Sequence, residues 1–157
     1  MRTNYDKYIK VYKGYKKFEE DKKLVWSRYY FDDYSFSRRV GFVLALIQNY
    51  IKKEFTLEVK FWEENSKIID FFKEMQNSYA VVQEYKNGEE PGIIVIDDKN
   101  LDIKFFEQLL QRHYNHDLAY EPALSVKLLL FVNSDENLTV FDLYDDRGFI
   151  INHYYYN

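Results

Sequence analysis

Alternating apolar and polar residues predict that strands make up much of the chain, because side chains on a β-strand point to opposite faces in turn. Strands are predicted at residues 24–31, 57–61, 79–85, 93–96, 126–132, 138–144 and 149–155. Asn87-Gly88 is a typical hairpin turn sequence, which predicts antiparallel pairing of the strands on either side of it. Both faces of the strand at 126–132 are largely apolar, so we expect this strand inside the sheet.

Apolar residues that recur every three or four positions predict about four helices. They are expected at residues 1–22, 35–51, 65–75 and 101–115. The first helix is amphipathic, with lysines on one face and tyrosines on the other, and its tyrosine face should dock on the body of the protein. These tyrosines are Tyr5, Tyr8, Tyr12 and Tyr15. Between residues 57 and 75 one continuous helix also fits the pattern, as an alternative to a strand followed by a helix.

These elements together predict an α+β fold in a single domain that spans residues 1–157. A chain of 157 residues buries roughly 70% of its unfolded surface on folding, which is enough for a substantial core. We expect a mainly antiparallel sheet packed with about four helices, in which the last three strands form a meander.

Composition removes several classes of function. The chain has no cysteine, which excludes disulfides and thiolate sites. No apolar run is long enough to cross a bilayer, and the N-terminal residues lack the apolar stretch of a signal peptide. The sequence therefore predicts a cytoplasmic protein with no membrane partner.

Charge is unevenly distributed along the chain, which has a net charge of −4. Through Lys23 there are eight Lys and Arg against four Asp and Glu, and the remaining residues carry fourteen against twenty-two. The acidic body argues against nucleic acid as the main partner, because phosphate binding needs a basic face. It is suited to a basic protein partner instead.

Aromatic residues are abundant, with 16 Tyr and 13 Phe. Aromatic side chains supply rigid anchors at protein interfaces, so the abundance is consistent with a binding role. A genome rich in A and T would enrich Lys, Ile, Asn, Tyr and Phe together, which explains the same abundance without a functional demand.

The junction Tyr144-Asp145-Asp146-Arg147-Gly148 connects the last two predicted strands. Its residue types favour a tight turn in which an Asp side chain accepts backbone N–H bonds and Gly148 adopts a positive φ. The alternative is a divalent cation held by the two carboxylates, or an anion bound by Arg147. A hard cation needs several converging oxygen ligands, and only two adjacent ones are present, so the hairpin interpretation is favoured.

His113 and His116 are spaced so that both imidazoles could share one helix face and bind zinc, with Asp117 adjacent. Histidine is also favoured at a helix C-terminus, where its positive form interacts with the helix dipole. No third ligand is evident in the sequence, so the helix-end interpretation is preferred.

The C-terminal third of the chain resembles a bacterial domain-of-unknown-function family. The resemblance rests on the order helix, strand, turn, strand, Tyr-Asp-Asp-Arg-Gly hairpin and short apolar strand. The matching residues are 102–110, Pro122, 126–133 and 139–148. The resemblance implies a small cytoplasmic domain associated with polymorphic-toxin loci, in which immunity proteins bind a cognate toxin. It supplies no catalytic residues.

We therefore predict a non-catalytic binding protein, an immunity protein that neutralises a basic bacterial toxin domain without a cofactor, a metal or catalytic residues. Its predicted contact residues are Glu89, Glu90, Asp97, Asp98, Asp145, Asp146 and Arg147. The alternative is a metal-dependent hydrolase that uses Asp145 and Asp146 with His113 or His116.

Overall fold

The computed structural model describes residues 24–30, 36–49, 54–62, 65–76, 78–133, 137–145 and 148–155. Its strands are β1 (Leu24–Tyr30), β2 (Phe55–Phe61), β3 (Ala80–Gln83), β4 (Gly92–Asp97), β5 (Val126–Asn133), β6 (Asn137–Asp145) and β7 (Gly148–Tyr155). Its helices are α1 (Phe36–Gln48), α2 (Asn65–Met75) and α3 (Ile103–Leu118). The helix predicted at residues 1–22 lies outside the described residues.

The seven described strands form one antiparallel sheet in the order β1-β7-β6-β5-β2-β4-β3. The last three strands are neighbours in chain order, which confirms the predicted meander. β3 pairs with β4, which confirms the predicted hairpin. β5 lies between β6 and β2, inside the sheet, as its apolar sequence predicts. The α+β fold class is thus confirmed, with three helices in the part of the chain that the structure describes.

The stretch between residues 55 and 75 is a strand followed by a helix, and the continuous helix is wrong. β2 ends at Phe61 and α2 begins at Asn65. Leu57, Val59 and Phe61 are fully buried on one face of the sheet. The alternating apolar positions identify a strand because a helix would spread them around its circumference.

Helices α1, α2 and α3 contribute to a single apolar cluster on one face of the sheet. The ring centroids of Phe72 on α2 and Phe105 on α3 lie 4.8 Å apart. The guanidinium of Arg112 lies 4.4 Å above the ring centroid of Phe71, which ties α3 to α2 a second time. The described helices therefore cover this face as one layer.

The opposite face of the sheet is also buried. Leu129 and Phe131 on β5 alternate with the residues that face the helices, and they belong to a second apolar cluster with Val140 and Tyr154. Glu58 on β2 lies on this same face and is only 1% exposed. Burial on both faces explains why β5 is apolar at nearly every position.

Helix α3 has a defined cap at each end. The Asp102 side chain accepts a 3.0 Å hydrogen bond from the backbone N–H of Phe105, which satisfies one of the free donors of the first turn. At the other end Ala119 adopts a left-handed conformation with φ of 58°, and Tyr120 donates its backbone N–H to the carbonyl of Asn115. The helix ends at Leu118, three residues beyond the position expected from its apolar spacing.

Gln76 fixes the start of α3 against the end of α2. Its amide nitrogen donates to the carbonyls of Ser78 and Asn100, and its Oε1 accepts a 3.0 Å bond from the backbone N–H of Asp102. The side chain is 2% exposed and its amide is hydrogen-bonded through both oxygen and nitrogen. The loops that precede β3 and α3 are thereby held to the end of α2.

Candidate protein-binding site

The register of the sheet gathers several loops at one of its ends. Phe61 at the end of β2 pairs with Gly92 on one side and with Val126 on the other. β6 runs antiparallel to β5 and therefore finishes at this same end, where Asp145 pairs with Gly148. We call it the pocket end, which comprises Tyr30, Trp62, residues 84–91, residues 118–125 and Asp145. The opposite, far end comprises Glu54, Asp97, Asp98 and Tyr155.

Exposed aromatic side chains are concentrated at the pocket end. Tyr30 and Tyr120 are each 61% exposed there, and Trp62 is 49% exposed. Tyr30 belongs to this end because it pairs with Gly148. Large aromatic residues in such positions are typical anchors of protein interfaces, because they bury a large area with few rotatable bonds.

Trp62 directly follows Phe61, the last residue of β2, and is exposed because it lies beyond the end of that strand. The ring of Phe61 is fully buried against Gly92, where a Cβ atom would lie 2.1 Å from the Phe61 Cζ atom. Successive side chains of a strand point to opposite faces, so the position after Phe61 faces away from the helical core. Close approach at Gly92 therefore brings the β3–β4 hairpin beside Trp62.

Trp62 and residues 85–91 line a pocket of about 370 Å³. Its wall is the turn of the β3–β4 hairpin, in which the Lys86 carbonyl accepts from the backbone N–H groups of Glu89 at 2.9 Å and Glu90 at 3.1 Å. Gly88 has a φ of 77°, and Asn87 has no positive φ, which is typical of a type II turn rather than the type I′ turn common in two-residue hairpins. The Asn87-Gly88 signal thus located the turn correctly.

Both charge signs are present in the pocket, with acidic groups in excess. Lys86 Nζ lies 4.0 Å from Glu90 Oε2, and both side chains are more than half exposed. Glu89 is also exposed and makes no ion pair within the described residues. The hydroxyl of Tyr85 donates a 3.1 Å bond to Asn87 Oδ1, which holds this ring against the turn.

Asp97 and Asp98 lie at the far end, separated from Glu89 and Glu90 by the length of β4, about 17 Å for five strand steps. Asp97 is 3% exposed, and its Oδ1 accepts bonds from Asn100 N at 3.0 Å and Asn100 Nδ2 at 2.7 Å. Its carboxylate therefore stabilises the turn that leads toward α3. The structure does not bring the two predicted acidic pairs together.

The junction between β6 and β7 lies at the pocket end, because Asp145 pairs with Gly148. This pairing is consistent with the predicted hairpin. Asp146 and Arg147 lie outside the described residues, as does the side chain of Asp145.

His113 and His116 occupy different environments on α3. His113 is buried, and its Nε2 donates a 2.5 Å hydrogen bond to the carbonyl of Leu143 on β6. A carbonyl oxygen is only an acceptor, so this nitrogen carries the hydrogen and has no lone pair for a metal. His116 is exposed in the last turn of the helix, as the helix-end interpretation requires. For His113 that interpretation is wrong, because this residue is buried one turn earlier in the helix. Across the described ranges, no group of three His, Cys, Asp or Glu residues could hold a metal ion.

Asp142 on β6 is, like Glu58, an acidic residue that is at least partly buried on the sheet face opposite the helices. Burial raises the pKa of its carboxyl above the usual value of 3.8, and the positive charge of Lys127 lowers it by a smaller amount. Its Oδ1 has no hydrogen-bond partner in the part of the chain described here. The residue does not line the pocket, and it is a partly buried carboxyl with an unsatisfied oxygen.

The fold and the pocket end define an α+β protein with a fully antiparallel sheet, helices on one face and an open aromatic and acidic pocket at one end. Comparison with known protein families, curated proteins and solved structures found no match. The family resemblance of the C-terminal third stays a prediction. None of the described helices is both long and apolar enough to span a membrane.

Sequence reasoning identified Glu89 and Glu90 but missed the aromatic residues that accompany them. The exposure of Trp62 could have been predicted from the sequence, because Trp62 follows Glu58 and Lys60 at every second position and is an aromatic residue in an otherwise charged series. Tyr120 had no such signal, because its exposure depends on the left-handed end of α3 at Ala119.

Proposed function

We propose that this chain is a non-catalytic binding protein, an immunity protein that neutralises a cognate bacterial toxin by covering it with the pocket end. One observation carries the proposal: the sheet register collects the exposed rings of Tyr30, Trp62 and Tyr120 beside exposed carboxylates on a single end. Aromatic anchors surrounded by charged residues match the anatomy of a protein interface.

Charge supports a basic partner. Three lysines, Lys60, Lys86 and Lys127, lie at and beside the pocket end. They are outnumbered by the exposed glutamates there, which are Glu84, Glu89, Glu90 and Glu121. An acidic surface raises the association rate with a positively charged protein and disfavours acidic competitors. Glu89 and Glu90 therefore stay in the proposed contact surface, together with Asp145, Asp146 and Arg147 at the junction. We leave Asp97 and Asp98 out, because they lie at the far end.

The size of the pocket end suits a specific complex. Seven strands spaced about 4.8 Å apart extend over roughly 29 Å from β1 to β3. An interface of standard size buries about 800 Å² on each partner, which corresponds to a patch of similar width. The pocket end is thus long enough, along the direction of the strand order, to span an interface of standard size.

The test is neutralisation of a defined toxin. The first domain to test is the C-terminal domain of any long secreted protein that proves to be encoded directly upstream of this chain. We expect co-expression to restore growth of cells that make the toxin domain, and the two proteins to elute together at equal stoichiometry. If the toxin remains fully active and no complex forms, the proposed function is wrong.

Matched variants locate the interface. Trp62→Ala should weaken the complex by about 2 kcal/mol or more, roughly thirtyfold in Kd, because it removes a central aromatic anchor. Tyr155→Ala is the control, since Tyr155 is also 49% exposed but lies at the far end. Isothermal titration calorimetry of the purified pair measures both affinities. Equal losses in the two variants would contradict the assignment to the pocket end.

A further inference from the structure

We infer that the pocket formed by Trp62 and the β3–β4 turn binds an arginine side chain presented by the protein partner. The inference rests on the proposed function and specifies which chemical group of the partner the site recognises. It follows from the combination of aromatic rings, competing carboxylates and restricted volume in this one pocket.

The rings provide a surface for a flat cation. Trp62 is half exposed at the pocket wall, and Tyr85 is held against the turn by its hydrogen bond to Asn87. A guanidinium group placed over an indole ring within about 6 Å is attracted by the negative face of the ring. Tryptophan is the most favourable ring for this contact, and arginine makes it more often than lysine.

The carboxylates provide the matching charge. Glu90 interacts with Lys86 over 4.0 Å, and both side chains are exposed, so this ion pair is weak and can be exchanged for a better one. Glu89 stands next to it on the same turn and has no ion pair within the described residues. A guanidinium can bind a carboxylate through two parallel hydrogen bonds while its plane stacks on a ring, which an ammonium group cannot do.

The volume restricts the occupant. About 370 Å³ is near the lower end of ligand pockets, which are roughly 300–1,000 Å³, so the space inside the pocket is enough for one long side chain. The excess of carboxylates disfavours a phosphate or carboxylate ligand. An apolar side chain would partly desolvate the charged groups of Lys86 and Glu90 and offer them no hydrogen bond in exchange.

The experiment uses two acetylated and amidated pentapeptides, Gly-Gly-Arg-Gly-Gly and its citrulline counterpart, titrated into the full chain. Citrulline has nearly the shape of arginine but no charge, so it isolates the contribution of the cation. The readout is the indole N–H resonance of Trp62, assigned with Trp62→Phe because the chain contains two tryptophans. We expect the arginine peptide to shift this resonance, and the citrulline peptide to bind about tenfold more weakly.

Variants test the two parts of the pocket separately. The double variant Glu89→Gln and Glu90→Gln should weaken arginine-peptide binding, and Glu54→Gln at the far end should leave it unchanged. Equal binding of the arginine and citrulline peptides, or a shift of the Trp62 resonance that survives the double variant unchanged, would overturn the inference.

The outcomes also separate this inference from the proposed function. Neutralisation of the toxin that is unaffected by Trp62→Ala and by the double glutamine variant would overturn the arginine site and leave the immunity function standing. Selective arginine-peptide binding by a chain that neutralises no toxin would support the site and refute the immunity function.

Discussion

His113 and His116 show how two identical residues one turn apart acquire different roles. His113 faces the sheet and donates to the Leu143 carbonyl from a buried position, whereas His116 is exposed in the last turn of α3. Their spacing would allow both imidazoles to share one helix face. Three residues correspond to a rotation of about 300° around a helix, which leaves the two side chains about 60° apart, and this is enough to separate core from solvent. The surroundings of α3 decide the role of each imidazole.

We predict that His113→Ala destabilises the fold by at least about 1–3 kcal/mol, because it leaves the buried Leu143 carbonyl without this donor. His116→Ala is the matched control and should change the free energy of unfolding by less than about 0.5 kcal/mol. Denaturant titrations of the three proteins measure the difference. Similar denaturation midpoints for the two variants would refute the structural role of His113. If added zinc stabilises the wild-type protein and this gain is lost in both variants, the result would support the hydrolase alternative.

Asp142 contributes an unfavourable charge at neutral pH. Its native pKa is raised by burial, so the native state holds the proton more tightly than the unfolded chain does. Its stabilising contribution is fully present below the ordinary pKa of 3.8 and is lost as the pH rises through the raised native value.

We therefore predict that Asp142→Asn raises Tm at neutral pH and that the gain disappears as the pH falls toward 3.8. Lys127→Ala should raise the native pKa of Asp142 further, because it removes the positive charge that lowers it. Thermal unfolding between pH 3.5 and 8 gives the first result, and carboxyl NMR titration gives the second. A Tm difference independent of pH would show that ionisation of Asp142 is not its cause.

At the scale of elements, local periodicity predicted the order of strands and helices well. In β2 the apolar residues recur at every second position, and in α2 they recur at every third or fourth position, so the boundary between the two elements is visible in the sequence. β5 is apolar on both faces because it is buried on both. The end of α3 was misplaced by three residues. The left-handed position that ends this helix is occupied by Ala119 and not by a glycine, which is the usual sequence signal for a helix end. The role of Gln76 was not predicted, because two of its three partners, Asn100 and Asp102, lie 24 and 26 residues away in the chain.

The β2–β4 pairing depends on the missing side chain at Gly92. We predict that Gly92→Ala costs about 1–3 kcal/mol, because its Cβ would lie 2.1 Å from the Phe61 ring, which is fully buried and cannot move aside. Gly41→Ala is the control, since a Cβ there meets nothing within 4 Å and alanine is favoured in a helix by up to about 1 kcal/mol. Thermal unfolding should show opposite shifts in Tm. A neutral Gly92→Ala would contradict the close approach that brings the hairpin beside Trp62.

At the scale of the whole molecule, the register of the sheet creates the candidate site. Tyr30, Trp62, Glu89 and Tyr120 are distant in sequence but share the pocket end, because β1, β2, the β3–β4 hairpin and the segment before β5 all have a terminus there. The same register sends Asp97 and Asp98 to the far end. A grouping of acidic residues by sequence alone therefore mixes two opposite surfaces.

The sequence by itself determined the α+β class, the types and approximate bounds of the described elements, the antiparallel hairpin and the acidic, cysteine-free composition. These follow from local periodicity, turn chemistry and charge, which depend on residues close together in the chain. Only the tertiary structure decided which strand ends coincide, that Glu58 and His113 are buried, and that exposed rings and carboxylates meet around one pocket. The reason is that strand order and register are set by the pairing of segments that are remote in the chain, and this pairing cannot be predicted from the local sequence of either segment.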